Sequence, residues 1–193
     1  MKVLPVVPLF HVNAWGLPYA APLTGTSLIF PGPNLDGASL FNLMDHENVN
    51  SAWGVPTVWL GLLEEIRNQG KAPSQFQNVV IGGSAAPKSM IEEFEGLGIT
   101  VCHAWGMTEM SPVGTQGFLP QPMTKLLSSD EQILKKCNQG RRVFGVDLKI
   151  VDDKGSSLPH DGEASGELYV RGNAIISGYY KNEQSTEESF DKE

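Results

Sequence analysis

The hydrophobic pattern changes character once along the chain. Over residues 1–120, short β-rich runs alternate with amphipathic helical runs, which predicts an α/β layer with a parallel-type sheet and flanking helices. TSLIF at 26–30 reads as a buried strand closed by PGPN, and Ser39 as the cap of a helix carrying Leu40, Leu43 and Met44 at helical spacing. Residues 58–68 read as a second helix, with Leu62, Leu63 and Ile66 on one face and Glu64, Glu65 and Arg67 on the other. Gly70 stands where a left-handed cap costs least, and Val55, Pro56 and Thr57 at the start of this helix read as structural. NVVIGG at 78–83 is a strand entering a glycine turn; Pro87 then suits the first turn of a helix, KSMIEEFEG, that stops at Gly96. ITVCHAWG at 99–106 is a further strand ending on glycine, followed by the polar, loop-like MTEMSPVG. Ser128 and Glu131 have capping-box spacing before Ile133 and Leu134, which predicts a short helix to about Cys137, ending near Gly140.

After Gly140 the period shortens to two. RVFGVDLKIVDD and GELYVRG alternate apolar and polar residues, with turns at DKGSS, PHDGEASG and RGN, as in an antiparallel, half-exposed β region. The expected organisation is therefore an α/β unit over 1–140 and a β-rich region over 141–193. YYKNEQSTEESFDKE is polar, acidic and without a terminating signal, as though cut from a longer chain. No internal repeat or low-complexity block interrupts the pattern.

Composition narrows the class. Of 193 residues, 40% are hydrophobic and 19% charged, and the mean hydropathy is −0.16, which fits a soluble globular chain rather than a disordered or membrane-embedded one. Fourteen Lys and Arg face 22 Asp and Glu, for a formal charge of −8 and a pI near 5.0. That balance lacks the electrostatic footprint of a nucleic-acid binder, so any phosphate must be held locally. Lys135, Lys136, Arg141 and Arg142 are the most basic local cluster and read as a solvated helix end and loop. Cys102 and Cys137 have no CxxC spacing and too few partners for a thiolate metal site, which suits a reducing, cytoplasmic setting. The apolar amino end is broken by Pro5, Pro8, Pro18 and Pro22, so it reads as neither signal peptide nor membrane span. No N-x-S/T acceptor occurs, in weak agreement with that setting.

Two constellations could carry chemistry. Gly82-Gly83-Ser84-Ala85-Ala86 lies between a strand and a helix, where a hydrolase places a GxSxG elbow, but the final glycine is absent. His103, within a strand, and His160, in a Pro-His-Asp-Gly turn, are the available bases for Ser84. The second constellation, His-Ala-Trp-Gly-Met-Thr-Glu at 103–109, ends a strand where α/β folds collect ligands. Trp105 can stack on a purine, Gly106 permits close backbone approach, Thr108 can donate to a phosphate oxygen, and Glu109 is a hard ligand for magnesium. The same residues equally make a core tryptophan beside a capped turn.

AWGMTEMSP resembles the signature of the adenylate-forming enzymes. PLFHVNAWGLPYAAPLTGTSLIFPGP at 8–33, VPTVWLGLLE at 55–64, VVIGGSAAP at 79–87 and GELYVRGNAIISGYY at 166–180 are similar, in order, to their medium- and long-chain fatty acyl-CoA ligase branch. The resemblance implies a large-domain α/β subdomain followed by part of an antiparallel β-barrel. It also implies a two-step reaction in which a carboxylate and ATP give acyl-AMP and pyrophosphate, and CoA then displaces AMP, with magnesium serving the first step. Gly82, Gly83, Ser84, Ala85 and Ala86 would line the adenine and acyl pocket; Trp105, Gly106 and Met107 would lie beside the nucleotide. Thr108 would meet the α-phosphate and Glu109 would hold magnesium. His11 matches a histidine near the acyl pocket, and Trp15 lies where an aromatic gate can stand.

The family's Gly- and Ser/Thr-rich phosphate loop, its Thr-Gly-Asp segment and its carboxyl-terminal lysine domain are not in this sequence. The expectation is therefore a piece of a ligase that does not turn over alone, with small-molecule partners and exposed surface that invites self-association. A non-catalytic nucleotide- or acyl-binding module is the alternative reading, and a serine hydrolase using Ser84 the third.

Overall fold

The computed structural model describes residues 1–191, so the last two residues of the acidic STEESFDKE run lie outside it. A seven-stranded sheet has the order β2-β1-β3-β4-β5-β6-β7, and β8 and β9 form a separate antiparallel pair. The strands are β1 (Lys2–Pro5), β2 (Ser27–Leu28), β3 (Ser51–Gly54), β4 (Asn78–Ile81), β5 (Thr100–Gly106), β6 (Val113–Gln116), β7 (Arg141–Arg142), β8 (Val146–Val151) and β9 (Glu167–Gly172). From β2 to β5 every pairing is parallel; β6 and β7 add on antiparallel. Chain order reverses at β1, which has β2 on one side and β3 on the other, so the loops leaving the carboxyl ends of β1 and β3 diverge and open a crevice.

The helices are α1 (Val12–Trp15), α2 (Leu17–Thr24), α3 (Gly37–Glu47), α4 (Pro56–Gln69), α5 (Lys88–Gly96), α6 (Gln121–Leu126), α7 (Ser129–Cys137) and α8 (Glu183–Ser189). One apolar core joins Leu40, Phe41 and Met44 of α3, Trp59, Leu62, Leu63 and Ile66 of α4, and Met90, Ile91 and Phe94 of α5 to Leu4, Ala52, Val79, Ile81 and Val101 of the sheet. Ile133 and Cys137 of α7 pack against its edge. Those spacings are the helical and strand periods of the sequence, so burying each helix's apolar stripe on the alternate residues of the strands fixes this layer.

Several local signals act as expected. Gly70 caps α4 at φ 67°, and Ser128 and Glu131 form the reciprocal capping box of α7. Others differ. Asp36, not Ser39, caps α3, because its carboxylate accepts the Ser39 amide at 2.9 Å; Ser39 is the third helical residue. Pro87 is the residue before α5 rather than within its first turn. The strand in TSLIF shortens to Ser27–Leu28, and the segment after Gly106 holds a 3-10 turn, Thr108–Met110, and β6 instead of a loop throughout.

Lys136 corrects the reading of the basic cluster as wholly solvated. It is only 4% exposed, and its Nζ donates to Glu95 Oε1, which also accepts the Val101 amide at 2.6 Å. This carboxylate therefore ties α5, β5 and α7 together.

Cys102 points to the sheet face opposite Val101 and is buried, which pushes its thiol up from 9.0 to about 11; the Gly117 and Phe118 amides and Lys136 pull the other way. An unfolded chain ionises this thiol first, so the native state holds more protons between pH 9 and 11. Stability is complete below the unfolded value and falls as pH rises through the folded one. Chemical denaturation at stepped pH should show about 2 to 3 kcal/mol lost across that window in excess of the loss in Cys102→Ala. Equal slopes for the two proteins would contradict the assignment.

No helix among the described residues is long and apolar enough to cross a membrane.

Candidate functional site

The chain leaving β1 makes the first wall of a cleft in an uncommon conformation. Val12, Asn13, Ala14 and Trp15 all have φ between 46° and 57°, a left-handed turn closed by Gly16 at φ 82°. Left-handed backbone costs an L-residue roughly 1 to 2 kcal/mol, most for β-branched Val12, so surrounding contacts must hold it. Ala14 is fully buried, its amide donates to the Pro8 carbonyl, and Asn13 Nδ2 donates to Tyr19 Oη at 3.2 Å. The turn swings Trp15 onto the Gly82-Gly83 backbone: a methyl at Gly82 would stand 3.0 Å from the indole and 3.3 Å from the Ala104 carbonyl.

Gly82 and Gly83 follow β4 and form the floor. Ala104, Trp105 and Gly106 at the end of β5, with Met107 and Thr108, make the opposite wall, completed by Pro112 and Val113. Gly106 is required by close approach, since a Cβ there would lie 1.9 Å from the Pro112 carbonyl oxygen, which accepts the Met107 amide at 2.9 Å. Trp105 packs against Gly114 in β6, where a Cβ would be 2.8 Å from the ring.

His11, Trp15, Gly82, Gly83, Trp105, Gly106, Met107 and Thr108 thus line one cleft, with Val12, Ala104, Pro112 and Val113. Val12, Ala104 and Pro112 fall inside the sequence blocks quoted above without a role of their own, and Val113 follows directly on AWGMTEMSP. The cleft encloses about 80 Å3. That is well below the roughly 300 to 1,000 Å3 of a pocket that buries a whole small molecule, so it suits one ring or chain with the rest of a ligand on its open side. His11 is the lone ionisable side chain among these lining residues, and no lysine or arginine is among them.

Ser84, Ala85 and Ala86 do not line it. Ser84 and Ala85 are exposed beyond it; Ala86 is buried, and its amide donates to Nε2 of His103 at 3.3 Å. Nδ1 of His103 lies 3.1 Å from the Cys137 carbonyl, so both ring nitrogens are engaged and neither faces Ser84 as a base. His160 is exposed in its turn.

Glu109 sits one residue past the cleft in the 3-10 turn, half-buried. Its Oε1 accepts the Tyr179 hydroxyl at 2.9 Å and its carbonyl accepts the Ile176 amide at 2.9 Å, while Ser111 Oγ donates to the Ala174 carbonyl at 3.0 Å. The segment after β9 therefore straps the turn. The Glu109 carboxylate holds the Tyr179 phenol above its ordinary value. No group of three or more metal-ligating side chains occurs among the described residues. One carboxylate still fits magnesium, which keeps waters and takes its remaining ligands from substrate phosphates.

A second, shallow depression is lined by Arg142, Gly145, Asp147, Arg171, Gly172 and Asn173, with both arginines paired to Asp147.

A mostly parallel sheet with a glycine-floored, aromatic-walled cleft at the carboxyl ends of its parallel strands is where α/β folds collect ligands. Residues 1–180 match the family of AMP-binding enzymes, and the chain belongs to that family. It is 50% identical to a medium-chain-fatty-acid–CoA ligase of Ectopseudomonas oleovorans over 182 residues, 94% of this chain and 33% of that one. It is 46% identical to a long-chain-fatty-acid–CoA ligase of Thermus thermophilus over 184 residues, 95% of this chain and 34% of that one. Among solved structures, the N-terminal domain of FACL13 from Mycobacterium tuberculosis superposes with a TM-score of 0.81 at 23% identity, covering 99% of this chain and 45% of that one. The o-succinylbenzoate CoA synthetase of Bacillus subtilis in complex with AMP gives 0.80 at 23% identity, over 99% and 36%. The chain spans about a third of the length of the curated relatives it matches.

Proposed function

We propose that this chain supplies the adenine and acyl half of the site of an ATP-dependent fatty acyl-CoA ligase, which joins a carboxylate to AMP with release of pyrophosphate and then passes the acyl group to CoA. The observation that carries the reading is the convergence of three separate sequence blocks, around His11–Trp15, Gly82–Gly83 and Trp105–Thr108, on one cleft at the carboxyl ends of the strands. The fatty acyl-CoA ligases at 46–50% identity favour the substrate class. Residues 1–140 would carry this site, and residues 141–193 would form part of a β subdomain that straps the Thr-Glu turn.

In this account Trp105 stacks on the adenine, with Gly82, Gly83, Gly106 and Met107 allowing its edge to approach the backbone; the exposed Ser84 and Ala85 extend that surface, and Ala86 supports it from the core. Thr108 donates its hydroxyl to the α-phosphate. The acyl chain enters beside His11 and Trp15, with Trp15 as the gate. Magnesium, held by Glu109 and by nucleotide phosphates, would offset the repulsion between the attacking carboxylate and the phosphate. Tyr179 fixes the Glu109 side chain by donating to one of its oxygens, leaving the other to face a cation.

The same proposal includes the reading that the chain alone binds but does not turn over. Its action in the cytoplasm, and self-association through the unpaired edge of β2, belong to the same proposal.

Titration calorimetry of the chain with a non-hydrolysable acyl-adenylate mimic and magnesium tests the reading. The expected result is saturable binding to one site, weakened about tenfold or more by Trp105→Ala and by Thr108→Ala, with both variants still folded at the titration temperature. Binding indifferent to both substitutions, or no binding, would count against it.

A further inference from the structure

The β4–β5 ladder ends at the pair Ile81–His103. Beyond that pair the two chains part. One continues through Gly82 to Ala86, the other through Ala104 to Gly106, and the cleft lies where Gly82 and Gly83 face the second of them. From the far end of the 82–86 segment the Ala86 amide reaches back to β5, donating to His103 Nε2 at 3.3 Å.

His103 is 1% exposed, and its other ring nitrogen lies 3.1 Å from the Cys137 carbonyl at the end of α7. An amide only donates and a carbonyl only accepts, so these partners select the imidazole with its proton on Nδ1 and a bare Nε2. The segment is tied at its start by the Gly82 amide, which donates to the Gly54 carbonyl at 3.2 Å, and at its end by Ala86, which is buried against the core. Gly83 is at φ 79°, and Gly83, Ser84 and Ala85 are exposed. The Ala86 amide is thus the polar tie that fastens the far end of this segment to β5, and α7 is the anchor behind it.

We propose that His103 is a positioning residue for the cleft: by holding Ala86, at the end of the segment that begins with the Gly82–Gly83 floor, it sets where that floor stands relative to the Trp105 wall, and so how tightly the cleft grips a ligand. The statement about affinity rests on the reading of this cleft as the acyl-adenylate site; the statement about the floor does not.

Two substitutions separate positioning from simple packing. His103→Leu fills much of the ring's space and pairs neither partner. His103→Gln offers an amide oxygen and an amide nitrogen about as far apart as the two ring nitrogens, able to serve Ala86 and Cys137 together. In the Leu variant, amide exchange at Ala86 should quicken about tenfold or more while Val80 and Val101 hold their rates, and the dissociation constant for the acyl-adenylate mimic should rise about tenfold. In the Gln variant both should return to within about threefold of the parent chain. Nitrogen-15 spectra of the parent should show the His103 proton on Nδ1 alone.

Unchanged exchange at Ala86 in His103→Leu, or a Gln variant as impaired as Leu, would overturn the proposal. Should His103→Leu not fold, the parent spectrum and the Gln variant decide, and a proton on Nε2 overturns it. If the parent binds no mimic, the cleft reading fails and the exchange rates alone decide whether His103 positions the floor.

Discussion

Gly106→Ala should damage this chain more than any other single methyl addition near the cleft. The added carbon would meet the Pro112 carbonyl oxygen at 1.9 Å, and both groups are backbone, in β5 and in the residue that leads into β6, so no side chain can turn aside. Relief requires β5 and β6 to separate, which breaks the Met107–Pro112 hydrogen bond and displaces Trp105 and Thr108 together. The expected cost is on the order of 3 kcal/mol in chemical denaturation, with cleft binding lost even where the chain remains folded. Gly70→Ala is the control. It adds a methyl in open space at φ 67° and should cost about 1 kcal/mol, with binding intact. Similar costs for the two would mean that β5 and β6 have room the structure does not give them.

The second large effect is expected at Lys136. Lys136→Met keeps the bulk and removes the charge, leaving Glu95 beside the core with the Val101 amide as its remaining partner. Loss of one member of a buried ion pair typically costs about 3 to 5 kcal/mol, and that range is expected here. Adding Glu95→Gln should recover most of it, because the amide oxygen still accepts from Val101 while neither charge remains. Urea denaturation of the parent, both single variants and the double variant forms a cycle; additive losses would show that the pair is not coupled.

How much of this was legible in the sequence depends on how local each cause is. The capping box of α7, the Gly70 cap and the strand-to-glycine junctions at Ile81–Gly82 and Trp105–Gly106 are set within a few residues, and all could be read. Asp36 took the cap from Ser39 because two competent side chains stood three apart and only backbone direction selects between them. β6 was hidden because GTQ carries little apolar signal; it exists through its pairing with β5. Lys136 looked like a solvated helix end because its partner, Glu95, lies on another helix. The left-handed turn at Val12–Trp15 had no glycine until Gly16 to announce it, and tertiary contacts impose it. For the site, the motif residues at 82–83 and 105–108 could be named in advance, whereas Pro112, Val113 and the Tyr179 strap depended on where two later segments return.

The central claim is that the cleft between Trp15, Gly82–Gly83 and Trp105–Thr108 receives the acyl-adenylate. Titrating the nitrogen-15-labelled chain with the non-hydrolysable mimic and following each amide and indole resonance tests it most directly. The account predicts shifts concentrated at Gly82, Gly83, Trp105, Gly106, Met107 and Thr108 and at the Trp15 indole, saturating together. Shifts confined to the Arg142–Arg171 depression, or none at saturating ligand, would contradict it.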